Sequence, residues 1–332
     1  MCSMMVRESL VRDVLRLLVW YPLRWLVSFA PVGFGLAVFR LMGDAHYLLS
    51  RGKRELLGRN LDVLWRDPAL RAQCRQANPV RAYLRNHYTD SLFIFLFPRF
   101  QASVVERLVE FQGLEHLEAA LAAGRGAILL HGHFGPVHLP LVCLARMGFP
   151  MKQIGLPSDE GLSWVGKHVA FRLRMQYEAK IPAQIIHARA FMRPVLTWLG
   201  QNGALMITGD GSGTPDRIGV HERLRFCGHP VMFPVGPARL AQKTGAALLP
   251  MFVLPGTTRR WTVCIEPALA TGEDQTPAAI MQAFLQRYES HVARYPGHMH
   301  FLDRFTPGAL IEIEPEAAPT AADASGTASP AN

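Results

Sequence analysis

The stretch Gly126-Ala-Ile-Leu-Leu-His131-Gly-His133-Phe-Gly-Pro-Val-His138 constrains this chain more than any other. Ala127 to Leu130 is a short apolar run between glycines, the pattern of a buried strand. Gly132 and Gly135 let the backbone turn, and Pro136 is placed to open a helix through Val137–Met147. Three histidines therefore fall where a strand gives way to a helix. In open α/β sheets ligands collect in the crevice at the carboxyl ends of strands. Histidine exchanges protons near neutrality without a strong perturbation of its pKa.

The chain after Gly126 continues this pattern. Candidate strands are Ala127–Leu130, Met151–Leu156, Gln184–Ile186, Ala204–Thr208, Arg223–Phe226, Val231–Phe233, Ala247–Leu254 and Trp261–Ile265. Helical stretches lie at Leu162–Tyr177, Ala190–Leu199 and Pro237–Thr244, and Thr276-Pro277 caps a last helix. Alternation of this kind predicts an α/β fold, with a mainly parallel central sheet flanked by helices. Upstream, apolar spacing predicts helices over Arg51–Trp65, Val80–Phe97, Val104–Phe111 and Glu115–Ala123, all read as core. Residues 51–306 form the α/β domain in this reading, and 307–332, without a basic residue, form a disordered tail.

Residues 1–50 are expected to be a helical, membrane-associating segment. The most apolar part, Trp25 to Phe39, is interrupted by Pro31, Gly33 and Gly35. It is shorter than the roughly 17 to 25 residues a spanning helix needs. Leu15, Leu17, Leu18, Trp20, Tyr21, Trp25 and Phe29, interspersed with arginines, suit a segment lying in the bilayer interface. The competing reading is an apolar core hairpin. A net charge of +9 favours anionic partners, either a membrane surface or an acidic carrier protein. With no zinc knuckle, RNA-binding aromatic signature or basic recognition helix, nucleic acid is not an expected partner. Five scattered cysteines, Cys2, Cys74, Cys143, Cys227 and Cys264, without a CxxC pair, point to a reducing compartment and no structural zinc.

Two chemistries fit the histidines. His131 and His133 could begin a divalent-metal site completed by His187 and Asp210, as in some barrel hydrolases. The first third of the chain, however, does not look like a barrel. Alternatively His133 is a general base for acyl transfer, since a hydroxyl is a poor nucleophile until a base takes its proton. Such a base is usually oriented by a carboxylate.

Several segments carry a resemblance. They are Gly58-Arg-Asn60-Leu61, Gly113-Leu-Glu115-His116-Leu117, His133-Phe-Gly-Pro-Val-His138 and Phe226-Cys-Gly228-His-Pro230. Further on come Gly236-Pro-Ala-Arg-Leu240-Ala-Gln-Lys-Thr-Gly245 and Tyr295-Pro-Gly-His-Met-His-Phe-Leu-Asp-Arg304-Phe. Together they resemble the lysophospholipid acyltransferase superfamily, in its bacterial lipid A (lauroyl/myristoyl) acyltransferase-like branch. The resemblance implies transfer of an acyl chain from an acyl-CoA or acyl-carrier-protein thioester to a membrane lipid or glycolipid acceptor. It implies no bound cofactor or metal, and a place on the cytoplasmic face of the inner membrane.

The family motif is His, four residues, then Asp or Glu, and here His138 stands where the carboxylate belongs. A neutral imidazole stabilises an adjacent imidazolium less than a carboxylate does. Either another acid takes over or the protein is a catalytically silent acyl-lipid binding or partner protein. Asp210, closing the strand Ala204–Thr208, is the first candidate for that acid; an Asx turn into Gly211 is the structural alternative. Asp159, Glu160 and Asp216 are weaker candidates. The candidate catalytic set is thus His133, Asp210 and His138. Gly135, Arg174 and Arg217 are the candidate substrate-binding residues, chosen over Lys167, Arg172, Arg223 and Arg225. The run Gly209-Asp-Gly-Ser-Gly-Thr lacks the Lys-Ser/Thr of a nucleotide loop and reads as a turn lining the cleft.

Overall fold

The structure, a computed structural model, describes residues 10–157, 159–188, 192–210, 219–300 and 302–305. Arg217, Asp216, the glycine-rich run after Asp210 and the tail from 306 lie outside the described residues.

Among the described residues seven strands form one sheet, in the order β1-β9-β8-β2-β5-β3-β4. They are β1 Val109–Gln112, β2 Ala127–His131, β3 Met151–Gly155, β4 Gln184–His187, β5 Ala204–Thr208, β8 Ala247–Pro255 and β9 Trp261–Ile265. β8, β2, β5, β3 and β4 run parallel to one another. β9 turns back antiparallel to β8 and takes β1 as a parallel neighbour. The centre reads as unbroken apolar sequence because both faces are covered: every residue of β2 is buried. One face packs on the last helix, Pro277–Arg294, through Phe252, Phe284, Leu285 and Tyr288. The other packs on Leu139–Arg146 and the Leu92–Phe97 region. β6 His221–Phe226 and β7 His229–Pro234 make a separate antiparallel hairpin packed against the last helix.

Several element boundaries differ from expectation, each for a local reason. The helix expected over Val104–Phe111 ends at Leu108, and Val109–Gln112 becomes β1. Its Val109 and Phe111 fall opposite Trp261 and Val263, so pairing with β9 overrides a weak helical stripe. The helix expected over Val80–Phe97 tightens into a 3₁₀ turn from Ile94 to Arg99 as Pro98 approaches. Asp67-Pro68 ends one helix and also starts the short helix Pro68–Ala72, where the Asp67 carboxylate accepts from Ala69 N at 2.8 Å. Pro136 does not open a helix. The helix begins at Leu139, and the Val137 N–H before it donates to Asp90 Oδ1 at 2.8 Å.

The N-terminal segment forms Leu10–Leu18, a π-helical turn Val19–Leu23, Arg24–Phe29 and Val32–Leu49. Pro22 sits inside the π turn, where its missing N–H and bulky ring break the regular ladder. No helix among the described residues is long and apolar enough to cross a membrane. Val27, Val32, Leu36 and Phe39 are buried in the core beside Leu92–Phe97. Asp44 ties this segment to the helix Pro79–Phe93 through Arg81 at 2.8 Å and Arg85 at 2.5 Å. The opposite face is apolar as well and remains exposed, at Leu10, Val11, Val14, Leu18, Trp25, Leu26, Phe29 and Leu49.

Candidate active site

β2 and β5 are adjacent and in register, with His131 opposite Thr208. Two residues beyond each lie His133 and Asp210, so both leave the sheet at the same carboxyl edge. The Gly209 N–H donates to the His131 carbonyl at 2.7 Å and holds the two exits together. Asp210 then grips His133 twice. Its Oδ1 lies 2.8 Å from Nδ1 of the ring, and its Oδ2 accepts the His133 backbone N–H at 2.7 Å. Two bonds from one carboxylate to one residue fix both the main chain and the ring direction. A carboxylate at Nδ1 also selects the tautomer whose Nε2 lone pair can take a proton.

The turn depends on its glycines. Gly135 has φ +67°, and a Cβ there would stand 2.7 Å from the Val253 carbonyl oxygen. A side chain at Gly132 would run into the Tyr288 ring, 2.6 Å away. The candidate substrate contact at Gly135 is thus a residue whose backbone geometry the turn itself requires.

The charges follow from this arrangement. Burial pulls the His133 pKa down, but the Asp210 charge, its hydrogen bond and the nearby Asp90 carboxylate outweigh it, leaving the pKa raised. The His133 side chain is 21% exposed and that of Asp210 2%, so the carboxylate is buried while the ring keeps some access to solvent. His131 is different: burial drives its pKa down to about 4, and its Nδ1 lies 3.0 Å from the Gly132 carbonyl. It is a neutral strand-end residue.

His138 does not take the carboxylate's place. It precedes the helix Leu139–Arg146 with its ring centroid 5.9 Å from that of Phe97. Burial, then the neighbouring Arg174 charge, push its pKa down. Arg174 lies on the helix Arg172–Glu178, with Nε 2.7 Å from the Glu178 carboxylate and its side chain half exposed. Arg174 and Glu178 thus lie on the His138 side of the site. His187 ends β4, with β5 and β3 between it and His131. Among the described residues no three His, Cys, Asp or Glu side chains gather as a metal site would require.

Two residues that the sequence left unassigned border His133. His300 has its ring centroid 6.3 Å from that of His133, and its Nδ1 lies 3.6 Å from Asp90 Oδ2. His300 belongs to the closing motif Tyr295–Phe305, but nothing in that motif distinguishes its two histidines. Asp90 sits on a helix whose periodicity reads only as core.

An α/β domain carrying a carboxylate-anchored histidine on a parallel-sheet rim belongs to a class equipped to take a proton from a ligand in the crevice. Comparison with known sequences narrows this class. The pattern of the bacterial lipid A biosynthesis acyltransferases matches residues 23–305, and the chain belongs to that family. It is 31% identical over 195 residues to a phosphatidylinositol mannoside acyltransferase of Mycobacterium tuberculosis, a match spanning 57% of each chain. It is 28% identical over 291 residues to a phosphatidylinositol mannoside acyltransferase of Mycolicibacterium smegmatis, covering 85% of this chain and 88% of that one.

Proposed function

We propose that this protein moves a fatty acyl chain from a thioester of coenzyme A or an acyl carrier protein to a hydroxyl or amine of a lipid or glycolipid. His133 is the general base. The observation that carries the reading is the double contact of Asp210 with His133. It supplies the acid missing at position 138, whose absence is the basis of the contrasting silent-binder reading.

In the proposed reaction His133 Nε2 removes the acceptor proton as the acceptor oxygen attacks the thioester carbonyl. Asp210 stabilises the imidazolium that forms. The tetrahedral intermediate collapses, the C–S bond breaks, and the thiolate leaves with the proton that His133 took. Names of the relatives support a glycolipid acceptor.

The apolar outer face of the N-terminal helices supports attachment to a membrane surface, read here as the cytoplasmic face of the inner membrane, by a monotopic contact or a single N-terminal anchor. The net charge of +9 suits an anionic leaflet or an acidic carrier.

The test is a thioester-consumption assay in vesicles containing candidate glycolipids, with wild type and His133→Ala run in parallel. Free thiol and acylated lipid are expected in equal amounts with wild type only. Signals that are equal in the two proteins, at background level, would return the silent binder to first place.

A further inference from the structure

We propose that Asp90 and His300 form a second carboxylate–imidazole pair that positions His133 and holds negative charge beside it. This rests on the reading of His133 as the base, but not on the identity of donor or acceptor.

The pair and the segment around it hold the 133–137 turn at alternate residues. The His133 carbonyl accepts the His300 backbone N–H at 2.8 Å. The Gly135 carbonyl faces His300 Nε2 at 2.7 Å, and the Gly135 N–H donates to the His298 carbonyl at 2.8 Å. The Val137 N–H donates to Asp90 Oδ1 at 2.8 Å. Phe134 bridges Met299 in antiparallel fashion between them. Three distant parts of the chain thus meet on one turn: the helix Pro79–Phe93, the β2 exit and the C-terminal segment. Asp210 fixes His133 from the β5 side, whereas Asp90 and His300 fix the backbone that carries it.

Both His300 ring nitrogens face acceptors, the Gly135 carbonyl on one side and the Asp90 carboxylate on the other. His300 also lines a recess of about 110 Å³ with Tyr83, Asn86, His87 and Asp303. A reacting group displaced by even about 1 Å can lose roughly 10²-fold in rate, so a clamp on this turn acts on turnover.

The titratable groups around His133 are Asp210 after β5, Asp90 on its helix, His300 on the C-terminal segment, His131 on β2 and His138 at the head of its helix. Of these, only the two aspartates favour a charged His133.

The experiment compares Asp90→Asn, His300→Ala and His300→Gln with wild type in kcat, KM and pH profile. Expected is a fall of about 10- to 100-fold in kcat for His300→Ala with KM unchanged. His300→Gln, which keeps a donor for the Gly135 carbonyl, should recover most of that loss. Asp90→Asn keeps an oxygen for the Val137 N–H but removes the charge. It should shift the acid limb of kcat/KM to lower pH, with the His133 ring titration followed by NMR shifting the same way. Wild-type kcat in His300→Ala together with an unmoved limb in Asp90→Asn would overturn the proposal. Should Asp90→Asn fail to fold, the kcat and KM comparison of the two His300 variants decides alone, and a His300→Gln as slow as His300→Ala overturns it. Full turnover in His133→Ala would instead overturn the parent reading.

Discussion

Asp210→Asn is expected to lose nearly as much turnover as His133→Ala, about 10⁴-fold, while unfolding at close to the wild-type temperature. The size comes from a serine protease triad, where the same change forces the imidazole into the wrong tautomer. The geometry here makes the comparison direct. An asparagine oxygen can replace Oδ2 in accepting the His133 N–H at 2.7 Å, so the turn is preserved. Its amide nitrogen then faces Nδ1, where a carboxylate oxygen stood at 2.8 Å. Nδ1 must become the acceptor and Nε2 the protonated nitrogen, so the base is occupied before the substrate arrives.

The pH profile should separate this from a loss of packing. In wild type the raised His133 pKa places the acid limb of kcat/KM above the ordinary histidine value of about 6.5, with activity falling as pH drops through it. Removing the Asp210 charge should move the limb down. The same pair ties stability to pH. A histidine whose pKa is raised in the folded state contributes stability that is full below its unfolded value and is lost as pH rises through the folded one. Asp210→Asn should abolish that increment, so its unfolding temperature falls below that of wild type at acidic pH and stays close to it above the folded pKa. Full activity in Asp210→Asn, measured by thiol release, would remove Asp210 from the mechanism.

The parts of this site that could be read in the sequence are those that depend on strand ends. An apolar run between glycines, followed by His-Gly-His, places His133 at a sheet rim. A second run ending in Thr208-Gly-Asp210 places a carboxylate at the same edge, since parallel strands present the same end together. The pairing of residues 77 apart follows once β2 and β5 are neighbours, and strand adjacency itself is not encoded in periodicity. Asp90 was illegible for a different reason. Its helix buries Tyr83, Leu84, Asn86, Thr89, Leu92 and Phe93, so a carboxylate among them reads as a solvated residue between core positions. β1 was missed because four residues carry too little alternation to outweigh a preceding helical stripe; its partner β9 decides. The hairpin β6–β7 reads locally as two strands, and only its packing on Pro277–Arg294 keeps it out of the main sheet.

Replacing Leu18, Trp25 and Phe29 together with Gln is expected to lower partition onto anionic vesicles by about 10²-fold or more. Full burial of each such side chain is worth about 1.5–3 kcal/mol, and about 1.4 kcal/mol is tenfold. An amphipathic helix on a water-soluble protein turns its apolar stripe inward. Here Asp13 and Arg16 face inward: Arg16 bonds Asp13 at 3.1 Å and Ser163 at 3.0 Å, and Ser163 bonds Asp13 at 2.5 Å. Leu10, Val11, Val14, Leu15 and Leu18 face out, Leu10 being 85% exposed. Trp164, next to Ser163, is 70% exposed. Trp25, Phe29 and Leu49 extend the apolar surface along the following helices. Water disfavours such a surface, and a bilayer interface accepts its aromatic and aliphatic members. The basic charge adds a salt-sensitive contribution, so binding should weaken as ionic strength rises, more steeply with anionic than with neutral lipid. The triple variant should still turn over a short-chain acceptor dispersed in detergent, because none of the three residues touches the His133 turn. Unchanged sedimentation with vesicles would show that this face serves something other than a lipid surface. If the variant sediments poorly yet modifies membrane-embedded lipid at the wild-type rate, attachment is not what brings the acceptor to His133.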